Sequence, residues 1–370
     1  MKPFELQSLP IQEIQWEPLI PLIGAANRAL ARYDGALYGV PNPEVMLSPL
    51  TTQEAVLSSR IEGTVATLSD VLKFDAGDRV AEESRQLDIF EIVNYRKALK
   101  QAEQALRDKP FHLNILLTLH ATLLDSVRGA NMNRGRFRTT QNWIGRPGCT
   151  MEEAEFVPPA PETIPHAIGE WEKFYHSETP DALAQLAIIH AQFEIIHPFN
   201  DGNGRLGRML VPLFLYEKKV LQRPMFYLSA FLEKNRDEYV ARLRPLGKEA
   251  GAWNQWVAFF LRALAEQALA NTAKARAIMD LYEGLKAKIL GLTHSQFAVP
   301  MLDAIFEQPI FKSTSLEKRI GMPSRPMIMN ILGKLKQADI LKVQREGRGR
   351  TAQVLVLHSL VNLCEGREVF

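Results

Sequence analysis

One twelve-residue stretch, at positions 197–208, constrains the fold of this chain more than any other. It contains the sequence His-Pro-Phe-Asn-Asp-Gly-Asn-Gly-Arg-Leu-Gly-Arg, between an apolar helical run at 182–196 and another at 209–214. The proline disfavours helix at the residue before it, and the glycines permit backbone angles that other residues resist. The stretch therefore predicts a helix, a tight loop and a second helix that begins at the loop.

The loop carries the residue types that phosphate chemistry needs. The amino end of a helix has unpaired N–H groups and a positive dipole, so it suits a phosphate group. Arg205 and Arg208 are three residues apart, share a helical face and can reach the same polyphosphate chain. Asp201 can hold a divalent cation, and His197 can accept a proton at neutral pH. The loop predicts a reaction centre for nucleotide chemistry.

Other phosphate-binding motifs fit this loop poorly. A P-loop ends in Gly-Lys-Ser/Thr, and the dinucleotide fingerprint follows a strand, whereas a helical run precedes His197. The landmarks of protein kinases are also missing from the sequence. A plain structural turn remains as an alternative, but it does not require two arginines and an aspartate around Asn-Gly.

The composition is that of a globular protein with more than one domain. The chain has 370 residues, of which 46% are hydrophobic and 23% charged. Cys149 and Cys364 lie far apart, which indicates a reducing compartment without a disulfide framework. Neither a signal peptide nor an apolar run of membrane-spanning length is apparent. We therefore expect a cytoplasmic protein without membrane contact.

Shifts in composition predict four consecutive segments. They are a helical region at 1–105, a catalytic core at 106–250, a helical bridge at 251–294 and a separate tail at 295–370. The many prolines before residue 50 predict short helices and extended arms there. The tail contains three short helical patterns and two β-rich runs joined by a basic loop, which is the pattern of a winged helix-turn-helix.

Two shorter segments bear on the loop. The proline-rich stretch at 155–161 must be extended, and it predicts a hairpin or flap whose edge aligns an extended peptide by strand addition. A helix at about 51–63 places Ser58 and Glu62 four residues apart on one face. From spacing alone, a solvated surface is the favoured explanation of that face.

Residues 197–208 match the Fic-domain signature, His-x-Phe-x-Asp/Glu-Gly-Asn-Gly-Arg-x-x-Arg, at every fixed position. The chain thus resembles the Fic (filamentation induced by cAMP) domain adenylyltransferases. The resemblance extends to Gly135-Arg136-Phe137-Arg138, to Asn142-Trp143-Ile144-Gly145 and to Val157-Pro158-Pro159. Ser58-x-x-x-Glu62-Gly63 resembles the inhibitory motif of the family, in the class whose inhibitory helix precedes the core in the same chain.

This resemblance implies both a fold and an activity. The fold class is all-α, a Fic-fold helical bundle with a short β-hairpin flap, to which the tail adds a C-terminal winged helix-turn-helix domain. The activity is transfer of AMP from ATP to a Ser, Thr or Tyr hydroxyl of a target protein, or of the chain itself, with release of pyrophosphate. ATP is then the substrate and Mg²⁺ the cofactor.

The resemblance also assigns roles to individual residues. His197 becomes the general base, Asp201 the Mg²⁺ ligand and Tyr239 an adenine contact. Glu62, with Ser58 on the same helix, becomes an inhibitor that occupies Arg208. The ATP-binding residues are Gly202, Asn203, Gly204, Arg205, Leu206, Gly207 and Arg208, and the flap that aligns the target is Val157, Pro158 and Pro159.

Other outcomes stay open at this point. The tail at 295–370 can bind DNA, with its helix from Arg325 in a groove and with Arg345, Arg348 and Arg350 at phosphates, or it can equally serve as a protein-interaction module. Alternatively, the enzyme removes AMP with the help of Glu62, or transfers another nucleotide. The resemblance allows a homodimer, and the sequence does not identify the target protein.

Overall fold

The computed structural model of the protein describes residues 2–78, 82–125, 127, 133–146, 148–348 and 352–370. It is mostly helical, as predicted, with one small sheet. The helices are α1 Ile20–Tyr38, α2 Pro43–Met46, α3 Ser48–Ile61, α4 Leu68–Asp75, α5 Glu83–Asp108, α6 Leu113–Leu123, α7 Ile164–His176, α8 Ala182–Ile196, α9 Asn203–Glu217, α10 Ser229–Lys234, α11 Arg236–Leu243, α12 Ala252–Thr293, α13 Ala298–Glu307, α14 Arg325–Gln337 and α15 His358–Glu365. The strands are β1 Ile310–Lys312, β2 Lys342–Arg345 and β3 Val354–Val356. Within the described ranges, no helix combines the length and apolar character needed to cross a bilayer.

The chain forms two compact units, which differ from the four consecutive segments that we predicted. The first unit comprises residues 1–34, 57–63 and 93–269, and the second comprises 35–56, 64–92 and 270–370. The difference arises because segments distant in sequence pack together: in the second unit, α2 packs on α13 and α4 packs on β1. The predicted bridge at 251–294 coincides with the single helix α12, whose residues belong to both units.

Helix α8 lies at the centre of the first unit, with the bounds that its periodicity predicted. Asp181 caps it, since its Oδ1 accepts hydrogen bonds from the N–H groups of Leu183 and Ala184 at 2.9 and 2.8 Å. It packs against α7 and α9 and is buried on nearly every side, including its polar residues Gln185, His190 and Gln192. Trp171 and Trp256 each donate an indole N–H to one of its carbonyl oxygens. This packing fixes where the helix ends, and the loop begins there.

Helix α1 corrects the prediction of only short helices before residue 50. It has 19 residues and follows a single 3₁₀ turn at Glu17–Leu19. Pro18 and Pro21 had argued against a long helix, but they lie in the first turns of these two elements, where a missing N–H costs no intrahelical bond.

The second unit contains an antiparallel three-stranded sheet in the order β1-β3-β2. The β-rich runs predicted at 340–344 and 353–357 correspond to β2 and β3. Strand β1 was not predicted, because three residues carry almost no periodic signal. The helix predicted at 315–320 is only a 3₁₀ turn, Leu316–Lys318. The preceding and following helical patterns are α13 and α14.

Candidate active site

The loop between α8 and α9 has the tight backbone that its sequence predicts. His197 (φ 47°) and Gly202 (φ 79°) both lie in the left-handed region, and they end α8 and cap α9 respectively. Asn203 closes the loop: its Oδ1 accepts from the N–H of Phe199 at 2.9 Å and its Nδ2 donates to the Phe199 carbonyl at 2.8 Å. The first N–H groups of α9 therefore face the loop without intrahelical partners.

Two arginines on the first turns of α9 make the loop strongly positive. The side chains of Arg205 and Arg208 are only 3% and 2% exposed. Arg205 Nη2 lies 3.5 Å from Oδ1 of Asp201, which also accepts from the N–H of Gly202 at 2.6 Å. The Asp201 side chain is 42% exposed, so its carboxylate faces solvent at the rim of the site. Buried guanidinium groups stay protonated, and they suit an anionic ligand.

Arg208 is held by the end of α3. Its Nη2 donates to Glu62 Oε1 at 2.6 Å and to the Ser58 carbonyl at 2.8 Å, while its Nε donates to Ser58 Oγ at 2.9 Å. Burial acts to raise the pKa of Glu62, but the charge of Arg208 and its hydrogen bond outweigh this effect, so the pKa lies below its ordinary value. The two residues of the inhibitory motif thus occupy two nitrogens of one guanidinium group. The helix begins at Ser48, three residues before the predicted start, and Glu62 lies just after its end.

His197 presents one ring nitrogen as a base. Its Nδ1 lies 3.4 Å from the carbonyl oxygen of Glu194. Because a carbonyl oxygen only accepts, this contact favours a proton on Nδ1 and a lone pair on Nε2. Burial lowers the pKa of His197 to about 4, so the ring is neutral at physiological pH. A neutral imidazole in a pocket can take a proton from an incoming hydroxyl.

Two positioning residues have roles that the sequence did not indicate. His120 on α6 is fully buried. Its Nε2–H donates to the Asp201 carbonyl at 3.1 Å, its Nδ1 accepts from the N–H of Gly135 at 2.8 Å, and its ring stacks on Phe199. Burial lowers the pKa of His120 to about 4, which maintains this neutral form. His120 therefore supports the loop through the Asp201 carbonyl and the Phe199 ring.

Arg138 is the second of these residues. Its Nε donates to the His197 carbonyl at 2.9 Å and its Nη2 to the Pro159 carbonyl at 2.5 Å, and its own backbone N–H donates to the Pro198 carbonyl at 2.9 Å. Arg138 thereby joins the loop between α8 and α9 to the flap at Pro159. The sequence places Arg138 in a motif that resembles the family, but an isolated arginine gives no signal of such buried contacts.

Tyr239 on α11 lies in an aromatic cluster beside the loop. Its hydroxyl is 2.9 Å from Nε2 of His190, whose Nδ1 is 3.1 Å from the Gly207 carbonyl. That carbonyl can only accept, so Nδ1 of His190 carries the proton and the Tyr239 hydroxyl donates to Nε2. Tyr239 also packs on Trp256 and is almost fully buried. Its contact with adenine stays a prediction.

The flap differs from the predicted hairpin. It contains one antiparallel bridge, in which Ile144 N–H donates to the Phe156 carbonyl at 2.8 Å. The predicted flap residues Val157, Pro158 and Pro159 are buried, and their carbonyl oxygens accept hydrogen bonds from Phe4, Gln141 and Arg138 respectively. A strand edge whose carbonyl oxygens already accept hydrogen bonds inside the protein cannot pair with a peptide. Residues 143–145 are exposed instead, although Ile144 among them already uses its N–H and carbonyl oxygen in the bridge.

One pocket of about 440 Å³ is lined by several residues of this site. It contains Glu62, His197, Gly204, Arg208 and Tyr239, and its other walls come from the flap and α11. Its size is suitable for a nucleotide. It also contains Glu194, which the sequence analysis did not single out. Within the described part of the chain, no group of three or more His, Cys, Asp or Glu side chains is arranged to hold a metal ion.

Gly207 provides the space for Glu194. A Cβ atom at this position would lie 2.2 Å from Glu194 Oε1 and 3.4 Å from the Phe193 ring. We expect Gly207→Ala to destabilise the protein by about 1–3 kcal/mol, the usual cost of overpacking. Gly169→Ala is the matched control, because no described atom lies within 4 Å of a Cβ at that helical glycine. It should raise stability by about 0.5–1 kcal/mol. Urea unfolding measures both, and equal stability of the two variants would contradict close packing at Gly207.

The helical first unit, with its basic loop at a helix amino end, can be compared with known proteins. The model described as Fic/DOC family N-terminal matches residues 20–104, and the model described as Fic/DOC family matches residues 110–215. Together these matches span more than half of the chain. The chain belongs to the Fic/DOC family.

Relatives and solved structures agree with this assignment. The chain is 28% identical over 206 residues, 54% of its length, to a probable protein adenylyltransferase of Aquifex aeolicus (strain VF5), and covers 56% of that relative. It is 28% identical over 163 residues, 43% of its length, to the protein adenylyltransferase Fic of Nematostella vectensis, and covers 36% of it. The chain thus spans about half or less of these two relatives. The crystal structure of a Fic family protein from Desulfovibrio desulfuricans G20 has the same fold, with a TM-score of 0.59, 21% identity and coverage of 96% of this chain and 98% of that one.

Proposed function

We propose that the protein transfers AMP from ATP to a hydroxyl group of a target protein and releases pyrophosphate. One observation carries this proposal: a neutral histidine, His197, and a buried arginine, Arg208, line one pocket at the amino end of α9, and a second buried arginine, Arg205, lies on the first turn of the same helix. The names of the relatives, which are protein adenylyltransferases, support the same reaction. The family match supports ATP as the substrate.

The reaction requires one proton transfer and one exchange of bonds at phosphorus. The target hydroxyl oxygen attacks the α-phosphorus of ATP, and Nε2 of His197 accepts the hydroxyl proton. The new bond joins the target oxygen to the α-phosphorus, and the bond between that phosphorus and the β-phosphate oxygen breaks. Pyrophosphate leaves with the electron pair. His197 is unprotonated and has its Nε2 lone pair available for this step, because burial keeps its pKa well below the pH of the cell.

The rest of the loop would hold the polyphosphate. The N–H groups at Gly202, Asn203 and Gly204 are suited to the α-phosphate, while Arg205 and Arg208 are suited to the β- and γ-phosphates. Leu206 and Gly207 lie on the same turns of α9. The carboxylate of Asp201 fits Mg²⁺, which commonly binds one carboxylate together with substrate phosphates. When bound, the cation would offset charge on the leaving pyrophosphate.

We further propose that Glu62 inhibits this reaction. Its carboxylate and Ser58 use Nη2 and Nε of Arg208, so Glu62 competes with a γ-phosphate for the same guanidinium group. A Cβ at Gly204 would lie 2.3 Å from Glu62 Oε1, which indicates how closely the glutamate approaches the start of α9. ATP would then bind without the geometry that transfer needs. Glu62 could instead help water to remove AMP, and the assay below distinguishes these outcomes.

The target segment would add to the exposed flap edge at residues 143–145. An extended peptide paired there gains main-chain hydrogen bonds and lies beside the pocket that contains His197. Trp143 and Ile144 are exposed large apolar side chains on this edge, and they offer contacts that pairing alone does not supply. The hydroxyl that reacts would belong to this peptide.

For the carboxyl-terminal elements we propose a winged helix-turn-helix. Its support is the order of α13, β1, α14, β2 and β3, together with the antiparallel wing formed by β2 and β3. A DNA-binding role is disfavoured by two observations. Arg345 is paired with Asp78, and the helix that would enter a groove exposes Met327 and Met329. Arg350 lies outside the described residues. These features suit a protein contact better than a phosphate backbone.

A labelled-nucleotide assay on the full chain tests the proposed function. Cell lysate is incubated with the Glu62→Gly variant and with ATP labelled at either the α- or the γ-phosphate. We expect protein-bound label only from α-labelled ATP, because the γ-phosphate leaves with pyrophosphate. Label from γ-labelled ATP would indicate a kinase, and stronger labelling by another α-labelled NTP would indicate a different nucleotidyl transfer. Loss of label from pre-labelled protein, faster with wild type than with Glu62→Gly, would identify AMP removal.

A further inference from the structure

Glu194 is a buried carboxyl group that the reaction described above does not use. It lies on the last turn of α8, its side chain is 13% exposed, and it reaches the pocket that contains Glu62 and Arg208. Its Oε1 is buried without a hydrogen-bond partner among the described residues. Such an atom is costly unless the group is neutral or a ligand satisfies it.

Among the described residues around Glu194, neither His190 nor Tyr239 offers its carboxyl group a hydrogen-bond donor. Groups with a charge or a titratable proton come from each adjacent element: Arg208 on α9, His190 and His197 around the end of α8, Tyr239 on α11 and Glu62 after α3. His190 Nε2 is 4.0 Å from Glu194 Oε1, but this nitrogen accepts the Tyr239 proton. The N–H of His190 is used by the Gly207 carbonyl. Neither His190 nor Tyr239 can therefore donate a hydrogen bond to Glu194.

The charge of Arg208 acts on both Glu194 and Glu62, and of these two carboxyl groups only Glu62 makes a hydrogen bond with it. Glu62 and Ser58 already take Nη2 and Nε of Arg208. Burial raises the pKa of Glu194 to about 7, Arg208 opposes this rise, and the charge of Glu62 adds to it. Two ionised carboxylates beside one buried arginine repel each other, so the pair favours one proton, and it resides on Glu194.

We propose that Glu194 is a further residue of the anion site: as a neutral acid it admits an anion beside Arg208, and as a carboxylate it excludes that anion. The anion is Glu62 in the inhibited protein and, on the proposed function, a terminal phosphate group of the nucleotide. Both carry negative charge to the same arginine. The O–H of the neutral acid can donate a hydrogen bond to the anion beside Arg208. Neither His190 nor Tyr239 can do so, because their protons are already used. Gly207 allows the group to lie against the start of α9.

The proposal predicts a loss of nucleotide affinity as the pH rises. Binding requires the protonated form, so the apparent Kd increases in proportion to the inverse of the protonated fraction. Between pH 6 and 8 the other groups around Glu194 do not titrate: burial lowers the pKa of His190 to about 3 and that of His197 to about 4, and it raises the pKa of Tyr239 well above 10. Arg208 stays charged throughout.

The test compares ATP binding by the full-length Glu62→Gly protein with binding by the Glu62→Gly, Glu194→Gln protein, measured by calorimetry at pH 6 and pH 8. Glutamine has the size of the neutral acid, keeps a donor and cannot ionise. Taking the ratio of the two Kd values cancels the titration of ATP itself. We expect this ratio to rise at least about tenfold from pH 6 to pH 8, because loss of the Glu62 charge lowers the pKa of Glu194 relative to the protein with Glu62.

A ratio that does not change with pH would overturn the role of Glu194 and leave the proposed function intact. Absence of ATP binding at both pH values would overturn the nucleotide site itself, and with it this inference. If the glutamine variant does not fold, Glu194→Ala also removes the titrating group and should give the same flat profile. If Glu194 only packs against α9, its replacement should weaken ATP binding equally at both pH values.

Discussion

Replacing His197 by alanine should reduce AMP transfer by about 10²–10⁴-fold, the usual contribution of a general base. The reason is that His197 is the neutral base of the pocket, with Nε2 left unprotonated by the contact of Nδ1 with the Glu194 carbonyl. ATP affinity should change little, because the polyphosphate contacts come from α9. The rate of label transfer from α-labelled ATP and calorimetric ATP binding measure the two effects.

The comparison is best made in the Glu62→Gly background, where the rate without the histidine substitution is highest. His166→Ala is the matched control, since His166 is an exposed histidine on α7 outside this pocket. It should leave transfer unchanged. If His197→Ala retains full transfer while folded, His197 is not the base, and another acceptor must take the hydroxyl proton.

Replacing Glu62 by glycine should raise transfer by about 30-fold. A charge-assisted hydrogen bond contributes about 2 kcal/mol, and 1.4 kcal/mol corresponds to a factor of ten. The gain arises because the variant frees one N–H of Arg208 Nη2 for a phosphate oxygen, while the other stays bonded to the Ser58 carbonyl. The initial rate of label transfer at fixed ATP, with equal amounts of folded protein, is the measurement.

Glu62→Gln separates the charge from the shape of this side chain. Glutamine can still accept from Arg208, but without the negative charge, so we expect an intermediate rate. Ser58→Ala tests the other partner, which supplies Oγ to Nε of Arg208. A Glu62→Gly protein that binds ATP but transfers AMP no faster than wild type would show that the ion pair does not inhibit.

The parts of the molecule that could be predicted from sequence are those set by local pattern. Helix α8 has its predicted bounds, because Asp181 caps it and Pro198 prevents its continuation. The positive loop at 197–208 also followed from the spacing of its own residues, whose geometry a helix and a turn determine. The approach of Glu62 to Arg208, 146 positions away, was expected only from the family resemblance.

The features that were missed depend on contacts between distant segments. The flap edge could not be assigned, because Val157 pairs with Phe4 of the amino-terminal arm. Arg138 and Glu194 are ordinary charged residues in sequence. Only the folded structure shows that Arg138 donates to the His197 carbonyl. It also shows that a buried carboxyl oxygen of Glu194 lacks a hydrogen-bond donor among the described residues. The division into two units likewise reflects pairs such as α4 and β1, which no local signal connects.

The two bonds from Arg208 to Ser58 have a consequence for the speed of activation. When the Glu62 carboxylate leaves, Nε and Nη2 remain oriented by the Ser58 hydroxyl and carbonyl oxygens. Release then requires only that the Glu62 side chain, which is 41% exposed, turn toward solvent. Rotamer changes of exposed side chains take picoseconds to nanoseconds. Progress curves begun by adding ATP should accordingly have no lag, and the fraction of time that Glu62 is withdrawn, rather than the rate of withdrawal, should limit turnover.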